Sequence, residues 1–117
     1  MSTTGVSLLL DLYDCKSPLI NDAVLEQVFT TALQFAGLEP LDHMTQKFSP
    51  HGTTHIFILK QAHATVHTWA AEGFVAIDVY SCGAPETIRP GLEIIRGYLT
   101  QKLIARTAKA QLIERGT

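Results

Sequence analysis

Hydrophobic positions along the chain fall into two kinds of run, short ones with extended character and longer ones with helical spacing. Residues 6–13, "VSLLLDLY", are apolar over the length of a strand and suit a buried or half-buried β-strand. Asn21 or Asp22 stands where a helix cap belongs. Val24, Leu25, Val28, Ala32 and Phe35 then recur at helical spacing, and Gly37 supplies a stop. Residues 39–48 are polar and end at Phe48, a pattern that allows an edge strand. "SPHGTT" (Ser49–Thr54) is turn chemistry, because proline fixes φ and glycine tolerates positive φ.

Three extended runs follow, "THIFILK", "ATVHTW" and "FVAIDVYSC", with only "QAH" and then a short link ending in "EG" between them. Strands so close in sequence must be antiparallel neighbours, since a parallel return needs a crossover of about a dozen residues. In the last of them Phe74, Ala76, Asp78, Tyr80 and Cys82 share one face, and Val75, Ile77 and Val79 share the other. "GAPET" reads as a helix start, with Pro90 placed in the first turn. Ile88, Leu92, Ile95, Leu99 and Leu103 form its apolar stripe. The tail, "ARTAKAQLIERG", alternates loosely and reads as a last strand. Strand, helix, strands, helix, strand predicts an α+β fold: a two-layer sandwich, an antiparallel sheet with helices on one face, as one domain over residues 1–117.

Composition narrows the class. With 117 residues, 46% of them hydrophobic, the chain has material for one core. No apolar run approaches the roughly eighteen residues that suggest a membrane span. The start of the chain lacks a basic leader and carries Asp11 inside its apolar run, so a signal peptide is not expected. A net charge of −2 with nine scattered Lys and Arg argues against a nucleic-acid partner or an anionic membrane. Cys15 and Cys82 are too few for a disulfide framework, which points to reduced thiols and a cytoplasmic location.

Five histidines, at 43, 51, 55, 63 and 67, are the first candidates for chemistry. In a strand His63 and His67 share a face but lie about 13 Å apart, at about 3.3 Å per residue. One metal ion cannot take both at bonds of about 2 Å, so no metal site is expected. Cys82, before Gly83, is open to two assignments. It is an acid or nucleophile, or a small apolar core residue, and composition favours the core. Asp78 suits a paired or exposed position better than a catalytic one. A Gly-rich phosphate loop, a G-x-S-x-G elbow and a CxxC pair are all missing from the sequence.

The stretch "FSPHGTTHIFILKQAHATVHTWAAEGFVAIDVYSCG" (Phe48–Gly83) resembles the short prokaryotic S-adenosylmethionine decarboxylases. That family reads F-x-P-x-G-x-[ST], then E-S-H-x-x-x-H-T-W-P-E-x-G, then a strand ending in C-G. "LLLDLYDC" and the closing "ERG" extend the resemblance over nearly the whole chain. It implies a homodimeric α+β sandwich with sites at the dimer interface and a role in polyamine (spermidine) biosynthesis. It also implies a pyruvoyl cofactor made by the chain itself: the serine of E-S-H attacks the preceding carbonyl, and elimination splits the backbone. By the same resemblance His67 serves processing, Cys82 donates a proton, Thr54 offers a hydroxyl near the cleavage position, and Phe48 stacks on the adenine.

Here the chain departs from the family. Ala62 occupies the place of the serine, and a methyl group has no lone pair to attack with and no oxygen to eliminate. The pyruvoyl group is therefore not formable without a serine at 62, and the Gln61–Ala62 bond is expected to stay intact. Gln61 replaces the usual glutamate, and Thr65, the nearest strand hydroxyl, lies outside the motif. Ala70 and Ala71 replace the Pro-Glu whose glutamate holds the ribose hydroxyls. Glu72 lies one position on; a continuous strand turns it away, and a bend before Gly73 brings it back. These losses fit a decarboxylase-family protein blocked at one atom. They also fit a non-catalytic paralogue acting as a structural or regulatory dimer, or a member binding another amine such as a basic amino acid in place of S-adenosylmethionine.

Overall fold

The computed structural model describes residues 4–16, 21–48 and 52–116. In chain order these form β1 (Gly5–Tyr13), α1 (Asp22–Phe35), β2 (Pro40–Phe48), β3 (Gly52–Leu59), β4 (Ala62–Trp69), β5 (Phe74–Cys82), α2 (Pro85–Lys102) and β6 (Thr107–Arg115), with a 3-10 turn over Ala70–Glu72. The strands build a six-stranded sheet in the order β2-β3-β4-β5-β1-β6, every neighbouring pair antiparallel. This is the α+β sandwich that the alternation of elements predicts. The turn assigned to Ser49–Thr54 falls partly outside the described residues, at 49–51, and residues 52–54 already belong to β3.

Alternation along the strands decides which side is dry. Val6, Leu8, Leu10 and Leu12 of β1, Val75, Ile77 and Val79 of β5, Ala64 and Val66 of β4, and Phe57 and Leu59 of β3 are buried against the helices. Both helices lie on that face. Phe29 of α1 meets Phe57 with ring centroids 5.0 Å apart, and burial of each such ring contributes roughly 1.5–3 kcal/mol. The opposite face, called open below, carries Leu9, Ile56 and Ile58 partly exposed.

The helices correct two expectations. α1 is capped as foreseen, with the Asn21 side chain accepting from the Ala23 N–H at 3.0 Å, and Gly37 ends it in the left-handed region at φ 78°. Its buried stripe, however, is Leu25, Phe29, Ala32 and Leu33, whereas Val24 and Phe35 are exposed. Phe35 instead packs edge-on against Tyr98 of α2. In α2, Pro85 takes the first helical position, so Pro90 sits one turn further in and removes one intrahelical hydrogen bond.

Among the described residues, the largest polar side chain buried in this layer is that of His55. His55 of β3 is 1% exposed and faces α1. Its Nδ1 lies 3.3 Å from Nε2 of His43 on β2. His43 Nδ1 in turn contacts the Glu26 carboxylate at 3.1 Å. His55 Nε2 has no hydrogen-bond partner among the described residues, and Asp22 Oδ1 stands 3.9 Å away. Burial pushes the His55 pKa below the ordinary value of 6.5, against the pull of Asp22. A depressed folded-state pKa favours the neutral ring, so its contribution to stability is complete above about pH 6.5 and is lost as pH falls toward the folded value. Urea midpoints between pH 7.5 and 5 are expected to decline in the unaltered chain and to decline less steeply in His55→Gln. Equal slopes would show that His55 does not carry the effect.

Candidate functional site

The β3–β4 hairpin turns through Lys60 and Gln61, with Leu59 and Ala62 paired at its base. Gln61 adopts a left-handed backbone at φ 59°, which costs a side-chain-bearing residue roughly 1–2 kcal/mol. Its carbonyl accepts a hydrogen bond from the backbone N–H of Cys82 at 3.0 Å. The Gln61–Ala62 peptide is thus strained, polarised at its carbonyl and held beside the end of β5. Ala62 itself pairs with Leu59 and Ser81, so its methyl lies on the helix-covered side, half-buried against the core.

Cys82 corrects an expectation drawn from composition. It is exposed on the open face rather than part of the core, because β5 alternates and Cys82 shares the parity of Phe74 and Asp78. The core thiol is Cys15, whose pKa burial pushes up to about 11, with the charge of Asp14 acting in the same direction. Cys15 is therefore protonated and inert.

Further along the open face stands a second group. Thr54 and His67 are register partners across β3 and β4, and Thr54 Oγ1 lies 2.9 Å from His67 Nδ1. His67 neighbours Trp69 at 6.1 Å between ring centroids, and Phe48 meets Trp69 edge-on at 6.0 Å. Phe48 lies flat across Gly52, where any Cβ would overlap its ring.

Glu72 answers the question of continuous strand or bend. β4 ends at Trp69, and the 3-10 turn over Ala70–Glu72 closes on Gly73 at φ 65°, so the strict alternation that would turn Glu72 away does not apply. Glu72 lines a largely apolar open-face pocket of about 400 Å³ with Tyr13, Trp69 and Phe74. The rings form a continuous row, Tyr13–Phe74 at 5.1 Å and Phe74–Trp69 at 5.2 Å. Tyr13 and Phe74 were not foreseen as site residues. The alternation of β5 marks Phe74 as open-face, but only the strand register brings it opposite Trp69.

The structure gathers these residues at two ends of the sheet, not at one point. Gln61, Ala62 and Cys82 lie at one end; Thr54, His67, Phe48 and Glu72 lie toward the other. From Ala62 to His67 is five residues of β4, about 16 Å at about 3.3 Å per residue, and the odd interval puts the two side chains on opposite faces. No rotamer of His67 spans that gap. Among the described residues no cluster of three or more His, Cys, Asp and Glu gathers to hold a metal ion, and no helix is long and apolar enough to cross a membrane.

Comparison with known proteins gives the family and the fold. The family model for S-adenosylmethionine decarboxylase matches residues 6–116. The S-adenosylmethionine decarboxylase proenzyme of Prochlorococcus marinus (strain MIT 9313) is 36% identical over 99 residues, covering 84% of this chain and 79% of its own. That of Persephonella marina is 34% identical over 116 residues, covering 98% and 84%. The crystal structure of the adenosylmethionine decarboxylase from Aquifex aeolicus VF5 superposes with a TM-score of 0.85 at 28% identity, covering 100% of this chain and 94% of that one. The chain belongs to the S-adenosylmethionine decarboxylase family.

Proposed function

We propose that this chain is a non-processing S-adenosylmethionine decarboxylase-family protein of polyamine biosynthesis that works as a homodimer in the cytoplasm. One observation carries the proposal: the Thr54–His67 pair is intact, while the residue it would serve is an alanine about 16 Å away, at about 3.3 Å per strand residue. The family's pyruvoyl group does not fit this chain. Its formation needs a side-chain oxygen at position 62, and Ala62 offers a methyl packed against the core. The residues that remain bind and position. Cys82 and the Gln61 carbonyl form one half of a site, and Thr54, His67, Phe48 and Glu72 form the other.

A second copy laid open face to open face, antiparallel, joins the halves twice. Ile56, Ile58 and Leu9, partly exposed on that face, supply apolar surface for the contact. In the completed site Phe48 offers a face for a flat base, and Glu72 offers a carboxylate to the hydroxyls of a ribose. The two unpaired thiols suit a reducing cytoplasm. A ligand-binding or regulatory dimer is the form this activity takes in the chain as it stands. The replacement of Pro-Glu by Ala70 and Ala71 favours, as a second possibility, another amine as ligand.

Intact mass tests the processing half. The unaltered chain is expected to stay whole at 12.8 kDa, and Ala62→Ser is expected to split after Gln61. Ala62→Ser combined with His67→Ala should remain whole alone and split when mixed and refolded with the unaltered chain, whose His67 then acts across the interface. Failure of that mixture, with Ala62→Ser active, would rule out a shared site. Calorimetry tests the binding half. Glu72→Gln is expected to weaken S-adenosylmethionine about ten- to hundredfold, the loss of one hydrogen bond to a charged group. Unchanged affinity would remove Glu72 from the site.

A further inference from the structure

The far edge of the sheet holds a chain of polar contacts that the proposed site does not use. There β2 pairs with β3 alone. On the helix-covered side it presents His43, Thr45 and Lys47, whose register partners on β3 are Phe57, His55 and Thr53. The two acids of α1, Asp22 and Glu26, lie against them, on one helix face. Glu26 meets His43 Nδ1 at 3.1 Å, and His43 Nε2 meets His55 Nδ1 at 3.3 Å. The Thr45 hydroxyl stands 3.2 and 3.4 Å from those two facing nitrogens. At the inner end His55 Nε2 has no hydrogen-bond partner among the described residues, and Asp22 Oδ1 is 3.9 Å away. The other oxygen of Asp22 faces Lys47 Nζ at 3.7 Å. Asp42, the one acid of β2, accepts from the His43 backbone N–H at 2.8 Å. Across β3, the register partners on β4 are Ala64, Val66 and Thr68, none of which titrates.

The neutral cluster is short of a proton. Each neutral imidazole carries one N–H and one lone pair. The Glu26 carboxylate only accepts, so His43 Nδ1 donates to it and Nε2 is left bare. If His55 fills the 3.3 Å contact from Nδ1, its own Nε2 is a bare lone pair turned toward the Asp22 carboxylate. If His55 keeps its proton on Nε2, two lone pairs oppose each other at 3.3 Å, and the one Thr45 hydroxyl proton answers only one of them. Either way, one contact lacks a donor.

An added proton completes the chain but places a positive charge at His55, a ring 1% exposed. Burial outweighs the pull of Asp22 and Glu26, which is why the His55 pKa lies below 6.5. Water relieves such a charge, and the edge is where water enters, since β2 is held by one strand and its side chains are mostly exposed. We infer that the His43–His55 pair is a proton-operated latch, which holds β2 against α1 while neutral and releases the strand when it takes up one proton. Phe48 follows Lys47 on the released strand, so the latch also decides whether its ring stays across Gly52. Nothing in the latch depends on a ligand at the open face.

Amide hydrogen exchange of the full-length chain, corrected for the intrinsic effect of pH, tests it. Between pH 7.5 and 5, peptides covering 40–48 are expected to exchange at least about tenfold faster, while those covering β5 keep their protection. His55→Gln should remove that response. Asp22→Asn takes away a charge that favours the proton, so it should move the release to lower pH and leave protection at pH 7.5 unchanged. Imidazole nitrogen shifts of the unaltered chain should show the pair taking up its proton over the pH range in which β2 opens, a reading that needs no variant. Equal protection of β2 at both pH values overturns the latch, as does loosening of β5 together with β2. So does a response that survives His55→Gln, or an Asp22→Asn chain that loosens at pH 7.5 with the release midpoint unmoved.

Discussion

The hydrogen-bonded register of β4 between β3 and β5 is the constraint on which the rest depends. In a two-sided sheet a shift of one residue exchanges the faces, so this register alone decides what Ala62, His67 and Trp69 can touch. It is fixed at both ends. The two-residue turn at Lys60–Gln61 sets it on the β3 side, and the short 3-10 turn before Gly73 sets it on the β5 side. Ala64, Val66 and Thr68 are buried by it against the helices, and a slip would bring His63, Thr65 and His67 into that core instead. Burying several polar groups without partners costs several kcal/mol, more than the roughly 1–2 kcal/mol held in the left-handed Gln61. The strained turn is therefore kept by the packing of the strand that follows it.

The same register explains how much could be read from the residues in order. Alternation gave the faces of β5 directly, and short links gave the antiparallel order of β3, β4 and β5. The motif positions Thr54 and His67 stand 2.9 Å apart as register partners, but at the end of the strands away from Ala62 and not near the Gln61–Ala62 bond. The stripe of α1 was read with Val24 and Phe35 inward, because both are apolar and helical spacing tolerates a rotation of one position. The core took Phe29 and Leu33 instead, and Phe35 found its contact on α2. For Cys82 composition favours the core over an exposed acid or nucleophile, whereas the pleat of β5 puts it outward. Tyr13 and Phe74 needed strand partners that sequence order does not disclose, since β1 pairs with β5, far along the chain.

Alanine at position 62 leaves the architecture intact. Serine and alanine differ by one oxygen, and Ala62 sits half-buried beside Ser81 without disturbing the pairing of either strand. The Gln61 carbonyl still accepts from Cys82, and the Thr54–His67 contact is still made. The fold keeps its left-handed turn, exposed thiol and hydroxyl–imidazole pair, the surface features on which the proposed binding role rests.

Division of the site between two ends of one face gives that retained surface a consequence. Side chains project only about 6 Å from a strand, so groups separated by about 16 Å of β4 act on one small molecule only when a second copy supplies the other half. In the proposed dimer two copies related by a two-fold axis supply it twice, because an isologous contact presents each patch to its counterpart. Both ends of the face in that proposed dimer therefore contribute to one ligand site, although position 62 carries no hydroxyl.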